Sequence, residues 1–133
     1  MKESEYNMEF HHIGIACDNI DKCKGFIKSV FQVKEESETV FDENQDVHAC
    51  IISLDNNLTI ELLSGKRVEN IVRKGITYYH TCYTVKNLNA IIKRLEEEHN
   101  AKILSPPKEA ILYGNKRTAF LHTPIGIIEL LEK

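Results

Sequence analysis

Four side chains in this 133-residue chain are of the types that do metal and proton chemistry, and their spacing singles them out. His12 and His80 stand 68 positions apart, as do Glu61 and Glu129, and each glutamate sits inside the same tetrapeptide, Ile-Glu-Leu-Leu. A carboxylate set among consecutive apolar residues is costly to bury unless something pairs with it. Two imidazoles and two carboxylates suit a divalent first-row ion such as Ni(II), Co(II), Zn(II) or Mn(II), and one such ion would satisfy both glutamates.

These residues need elements that bring them together, and the 68-residue shift supplies a plan. His12–Asp21 ("HIGIACDNID") falls on His80–Asn89 ("HTCYTVKNLN"), and Cys50–Leu54 falls on Thr118–His122, without a gap. Repeated matches at one offset mark a duplicated module. Ile20, Cys23, Ile27 and Val30 recur at helical spacing, and so do Leu88, Ile91, Ile92 and Leu95. Each half therefore reads as strand, helix, then three strands, with module one over residues 10–63, a linker over 64–77 and module two over 78–131. Charge, proline and glycine predict breaks in regular structure at Asp42–Asp46 and Ser105–Asn115.

Alternate residues of a strand face opposite sides of the sheet. His12, Gly14 and Ala16 then share one face and Ile13 and Ile15 the other, while His80, Cys82 and Thr84 oppose Tyr83 and Val85. Glu61 and Glu129 project away from their isoleucine and leucine neighbours. Arg117, the 68-residue mate of Ala49, is read as a substrate-binding residue in the second half of the site. His11 points away from His12 and is read as structural, and His48, His99 and His122 take no role. Lys66, Arg67, Arg73 and Lys74 are read as solvated linker charges rather than a phosphate clamp.

Composition excludes several classes of partner. With 42% hydrophobic and 28% charged residues the chain reads as one soluble globular domain. A net charge of −3 with no arginine-rich face excludes nucleic acid as the expected partner. The charged start "MKESEYNMEF" and the absence of an apolar run near the ~18 residues of a membrane span point to a cytoplasmic protein with no membrane partner. Cys17, Cys23, Cys50 and Cys82 form no CxxC pair and read as reduced filler.

The stretches "FHHIGIACDNIDKC", "LTIELL", "YYHTCYTVKNL" and "KRTAFLHTPIGIIELLE" resemble the vicinal oxygen chelate superfamily, which includes glyoxalase I, methylmalonyl-CoA epimerase, extradiol dioxygenases and bleomycin-resistance proteins. That resemblance implies an α+β fold of two tandem βαβββ modules, with a cleft between curved mixed β-sheets around one ion held by His12, Glu61, His80 and Glu129. It implies two further coordination sites for water or substrate, a ligand glutamate as base (Glu129, or Glu61 across the ion), and a homodimer. Two histidines with two glutamates in a compact chain resemble the Ni(II)- or Co(II)-preferring glyoxalase I set, so the favoured activity is lactoylglutathione lyase-like conversion of a methylglyoxal–thiol hemithioacetal into a hydroxyacyl thioester, a detoxification. The alternative is an acyl-thioester epimerase like methylmalonyl-CoA epimerase. "HHIGIA", "IVRKGITYYH" and "FLH" resemble those enzymes, yet Ala49, or His48 if the register slips, stands where they commonly carry a base glutamate. They also often have glutamine at the place of Glu61. A non-catalytic drug-binding protein is the third reading, and retention of all four ligand types counts against it. A fourth protein ligand counts against a dioxygenase.

Overall fold

The computed structural model describes residues 6–133, which divide into two compact units. The first is His12–Tyr79, and the second combines the described residues through His11 with His80–Lys133.

In the first unit, strand β1 (Glu9–Ala16, whose first residues belong to the second unit) leads into helix α1 (Ile20–Val30). Asn19 caps α1 by accepting a hydrogen bond from the Lys22 amide at 3.0 Å, satisfying one of the unpaired amides of the first turn. The helix stops where Phe31 turns extended. Strands β2 (Val33–Glu36), β3 (Val40–Asp42), β4 (Val47–Leu54) and β5 (Thr59–Ser64) follow, and β5 returns beside β1 in parallel. The strand order is β2-β4-β5-β1, with β3 also on β4. Ile20 and Ile27 of α1 pack on Cys50, Ile52, Leu54 and Leu62, and each such fully buried aliphatic side chain contributes about 1.5–3 kcal/mol. The link after β5 is a 3₁₀ turn (Lys66–Val68) running into the short helix α2 (Glu69–Arg73).

The second unit repeats the plan with β6 (Tyr78–Val85), α3 (Leu88–His99), β7 (Lys102–Ala110), β8 (Lys116–Thr123) and β9 (Gly126–Glu132), in the order β6-β9-β8-β7 with β6 and β9 parallel. Asn87 caps α3 at Ala90, and Asn100, left-handed at φ 54°, ends it. Leu88, Ile91 and Ile92 pack on Val85, Ala119, Leu121, Ile128 and Leu130. The fold is thus α+β with paired βαβββ-like modules on mixed sheets.

Three departures from the sequence reading have physical causes. The first module carries four strands after its helix rather than three, because the edge is interrupted at Ser37–Thr39 between β2 and β3, both of which pair with β4. There the Ser37 hydroxyl accepts from the Ile51 amide at 2.8 Å in place of a carbonyl. Ser105–Asn115 is less irregular than predicted, since β7 runs through Pro106 and Pro107 to Ala110. As an edge strand paired only with β8, and bulged between Ser105 and Lys108, it loses no inner ladder bond to proline.

The third departure is one of register. The first hairpin turns between Ser53 and Thr59, whereas the second closes between Thr123 and Gly126. Glu61 therefore lies opposite Ile51, but Glu129 lies opposite Phe120, whose 68-residue mate is Ile52. Along β4 and β8 the gapless self-alignment is one residue out, and a one-residue slip reverses which face every side chain takes.

Candidate functional site

Each unit holds one buried histidine–glutamate pair, and strand register is what makes it. In the first unit Gly14 is the parallel partner of Glu61, so His12, two residues earlier on β1, shares the face of that carboxylate. His12 Nε2 lies 3.2 Å from Glu61 Oε1, and both side chains are shut away from solvent, at 0% and 3% exposure. Gly14 puts no side chain between them.

The second unit builds the same pair with different neighbours. Cys82 is the partner of Glu129, and His80 Nε2 approaches Glu129 Oε1 at 3.1 Å, with exposures of 0% and 1%. The His80 ring meets Phe120 edge to face, with centroids 5.3 Å apart and planes at 88°. Shifting Gly14 and Glu61 by 68 gives Cys82 and Glu129, so β1/β5 and β6/β9 keep one register in both units. A histidine–carboxylate pair this deep offers nitrogen and oxygen donors to a cation, or shares a proton when no cation is present.

Arg117 is the correction at residue level. Because β8 is one residue out of register with β4, Arg117 falls on the face of Ala119 and Leu121, which packs on α3, and not on the face of Phe120 and Glu129. Its guanidinium is forked onto Glu132, Nη2 at 2.6 Å and Nε at 3.2 Å. That hydrogen-bonded partner raises the Arg117 pKa and lowers that of Glu132. The spatial counterpart of Ala49 is Thr118, which pairs with Leu131 as Ala49 pairs with Leu63. Phe120 and Thr118 were the residues the sequence reading missed, and counting back from Glu129 through a two-residue turn at Pro124–Ile125 would have found them.

Two further histidines meet aromatic rings, and His11 also brings a ring nitrogen within 4.8 Å of donor atoms of His12 and Cys82. His11 stacks edge-on against Tyr113, and His48, exposed, stacks on Phe41. Cys17, Cys50 and Cys82 are buried free thiols and Cys23 is half-buried. Burial pushes the Cys17 and Cys50 thiols up, which makes them poor nucleophiles and fits their reading as filler. No helix among the described residues is long and apolar enough to cross a membrane.

A sequence profile described as the Glyoxalase/Bleomycin resistance protein/Dioxygenase superfamily matches residues 11–118. Sequence comparison with curated proteins finds no match. By structure the chain is similar to methylmalonyl-CoA epimerase from Mycobacterium tuberculosis, at 16% identity over 98% of this chain and 92% of that one, with a TM-score of 0.81. It is similar to a Streptomyces coelicolor methylmalonyl-CoA epimerase in complex with 2-nitronate-propionyl-CoA, at 20% identity over 94% and 96%, with a TM-score of 0.73. A Mn(II)-bound glyoxalase from Novosphingobium aromaticivorans matches at 15% identity over 93% of this chain and 38% of that one, with a TM-score of 0.60. At these identities the similarity is one of fold.

Proposed function

The chain belongs to the glyoxalase/bleomycin resistance protein/dioxygenase superfamily, and from that premise we propose that it is a divalent-metal-dependent epimerase of acyl thioesters, moving the proton on the carbon next to the thioester carbonyl. The observation that carries this reading is the pair of buried contacts, His12–Glu61 at 3.2 Å and His80–Glu129 at 3.1 Å, set by one strand register in both units. The donor chemistry fits a metal: two imidazoles and two carboxylates match Ni(II), Co(II), Zn(II) or Mn(II) better than an all-oxygen ion. His12, Glu61, His80 and Glu129 would hold it together, one pair from each unit.

When bound, such an ion supplies Lewis-acid stabilisation of the charge that grows on the carbonyl oxygen as the neighbouring proton leaves, worth several kcal/mol. The protein's own part is the proton. Glu129 takes it from the α-carbon, and Glu61 is the carboxylate that returns one, since inversion needs a proton donor besides the base. The apolar strand residues beside them, Phe120 next to Glu129 and Ile51 next to Glu61, keep water from quenching the carbanion-like transition state. The structural similarity to two methylmalonyl-CoA epimerases, one of them holding an acyl-CoA-type ligand, supports this reading over the hemithioacetal isomerisation favoured by sequence.

One observation favours glyoxalase I-like chemistry as the second reading. Ala49 is buried on the face of Ile51 and Glu61, where the epimerases that the sequence resembles commonly carry a base, so the only glutamates this face offers on β4 and β5 reduce to Glu61 itself. A homodimer stays part of the proposal and is checked by light scattering during size exclusion.

The deciding experiment loads the purified chain with Co(II), Ni(II), Zn(II) or Mn(II) and follows deuterium incorporation at C2 of methylmalonyl-CoA in D₂O, beside thioester formation from methylglyoxal with several thiols. Metal-dependent exchange into the acyl-CoA is expected. Thioester formation without exchange would replace this function with the second reading, and failure to bind any of the four ions stoichiometrically would overturn both.

A further inference from the structure

The second unit contains a cavity of about 870 Å³ that the proposed chemistry does not use. It lies on the α3 side of its sheet. Tyr83 and Ile128 in its floor belong to the face opposite His80 and Glu129, and Leu95 of α3 and Met8 of the N-terminal segment close its sides. Its volume falls within the range of small-molecule sites, and its lining is mostly apolar with a few polar groups at the mouth.

Duplication provides an internal control for whether the fold itself demands this space. The residues 68 positions before Tyr83, Leu95, Ala101 and Ile128 are Ile15, Ile27, Val33 and Ile60. Both sets of four belong to the core cluster of their own unit, so the fold places them alike, while the pocket beside Phe31 and Leu54 in the first unit is about 290 Å³. The larger space of the second unit has Tyr6, Asn7, Met8 and Glu9 of the N-terminal segment in its wall. Charge at the mouth changed as well, for Lys86 replaces Asp18 and His99 replaces Phe31.

The mouth carries two ammonium groups and one carboxylate. Lys133 Nζ is held by Glu9 Oε1 at 2.8 Å, while Lys86 has no ion-pair partner among the described residues. Glu9 feels both Lys133 and Lys86 but is in contact with Lys133 alone, which leaves an excess of one positive charge at the mouth, and an apolar floor beneath it selects a ligand with an aliphatic body and a single negative end. We propose that this cavity is a binding site for a medium-chain aliphatic carboxylate, its chain against Met8, Tyr83, Leu95 and Ile128 and its carboxylate on Lys86. The site is independent of the metal pairs.

Octanoate is the probe, with 1-octanol as its uncharged counterpart, titrated into the full-length protein carrying ¹³C-labelled methyl groups. Saturable shifts at Met8, Leu95, Ile125 and Ile128 are expected, with octanoate preferred over 1-octanol. Lys86→Glu should weaken octanoate about tenfold or more, a change of ~1.4 kcal/mol, and leave 1-octanol unchanged. Lys86→Gln should fall between wild type and Lys86→Glu. Lys86 is exposed, so both variants should keep the wild-type amide spectrum outside the cavity. Shifts confined to other methyls, equal affinity for the two probes, or octanoate binding unaffected by Lys86→Glu would each overturn the proposal.

Discussion

Glu129 and Glu61 hold equivalent positions but not equivalent neighbours. Glu129 faces Cys82 and Phe120, and Glu61 faces Gly14 and Ile51. Under the proposed function, Glu129→Gln keeps an oxygen donor and loses the proton acceptor, so metal content measured by elemental analysis should be largely retained while turnover falls by about 10²–10⁴. Wild-type exchange in that variant would move the base to another group. Arg117→Ala should leave KM for the thioester unchanged, because its guanidinium is spent on Glu132 on the other face of β8. A large rise in KM would restore it to the site. The thiols give a pH test. Cys17 and Cys50 are raised above the ordinary thiol value of 9.0 by burial, so the folded state holds these protons more tightly than the unfolded one. The stability they contribute is complete below pH 9 and is lost as the pH climbs above it. Urea midpoints at pH 8 and pH 10 should therefore separate less in Cys17→Ala and Cys50→Ala than in the wild type.

Helix ends and one glycine fix the elements that present these residues. Asn19 and Asn87 cap the helices that pack behind the two histidine strands, and each mutation to alanine should cost about 1 kcal/mol in chemical denaturation. Gly65 leaves β5 at φ +132°, and an added Cβ would meet Asp46 O at 3.1 Å and Val47 Cα at 3.2 Å, both backbone atoms. Gly65→Ala should lower stability by about 1–3 kcal/mol, read as a fall in melting temperature, and a neutral result would mean that the Asp46–Val47 turn gives way. Elements are also where sequence reading succeeded and failed. The two long helices were legible because apolar periodicity repeats 68 residues apart, and the common offset of His12 and Glu61 from His80 and Glu129 returns as one register of β1/β5 and β6/β9. The slip between β4 and β8 was not, because it arises in two hairpins of unequal length whose residues look alike under a gapless shift, and it moved Arg117 to the wrong face. Pro106 and Pro107 misled in the same way, since only the finished sheet reveals that their strand is an edge.

For the molecule as a whole, a bound ion should act as a ligand of the native state alone. If the four donors hold one metal, chelation should lower the melting temperature, and free metal at a hundred times its Kd should restore about 2.7 kcal/mol. A melting curve indifferent to chelator would separate the two histidine–glutamate pairs from metal binding altogether. The boundaries of the compact units add something that the repeat does not suggest. The second unit includes residues 6–11: Tyr6 bonds Glu98 at 2.6 Å, Phe10 stacks on Tyr83, and Lys133 reaches back to Glu9. A fragment cut to the repeat, beginning near Tyr78, would therefore lack a wall of its own unit and a side of its cavity. The sequence repeat and the compact unit are therefore different segments: a permuted chain that opens near Tyr79 and joins Lys133 through a linker to the N-terminal segment keeps the second unit whole, whereas a fragment that begins near Tyr78 and lacks residues 6–11 does not.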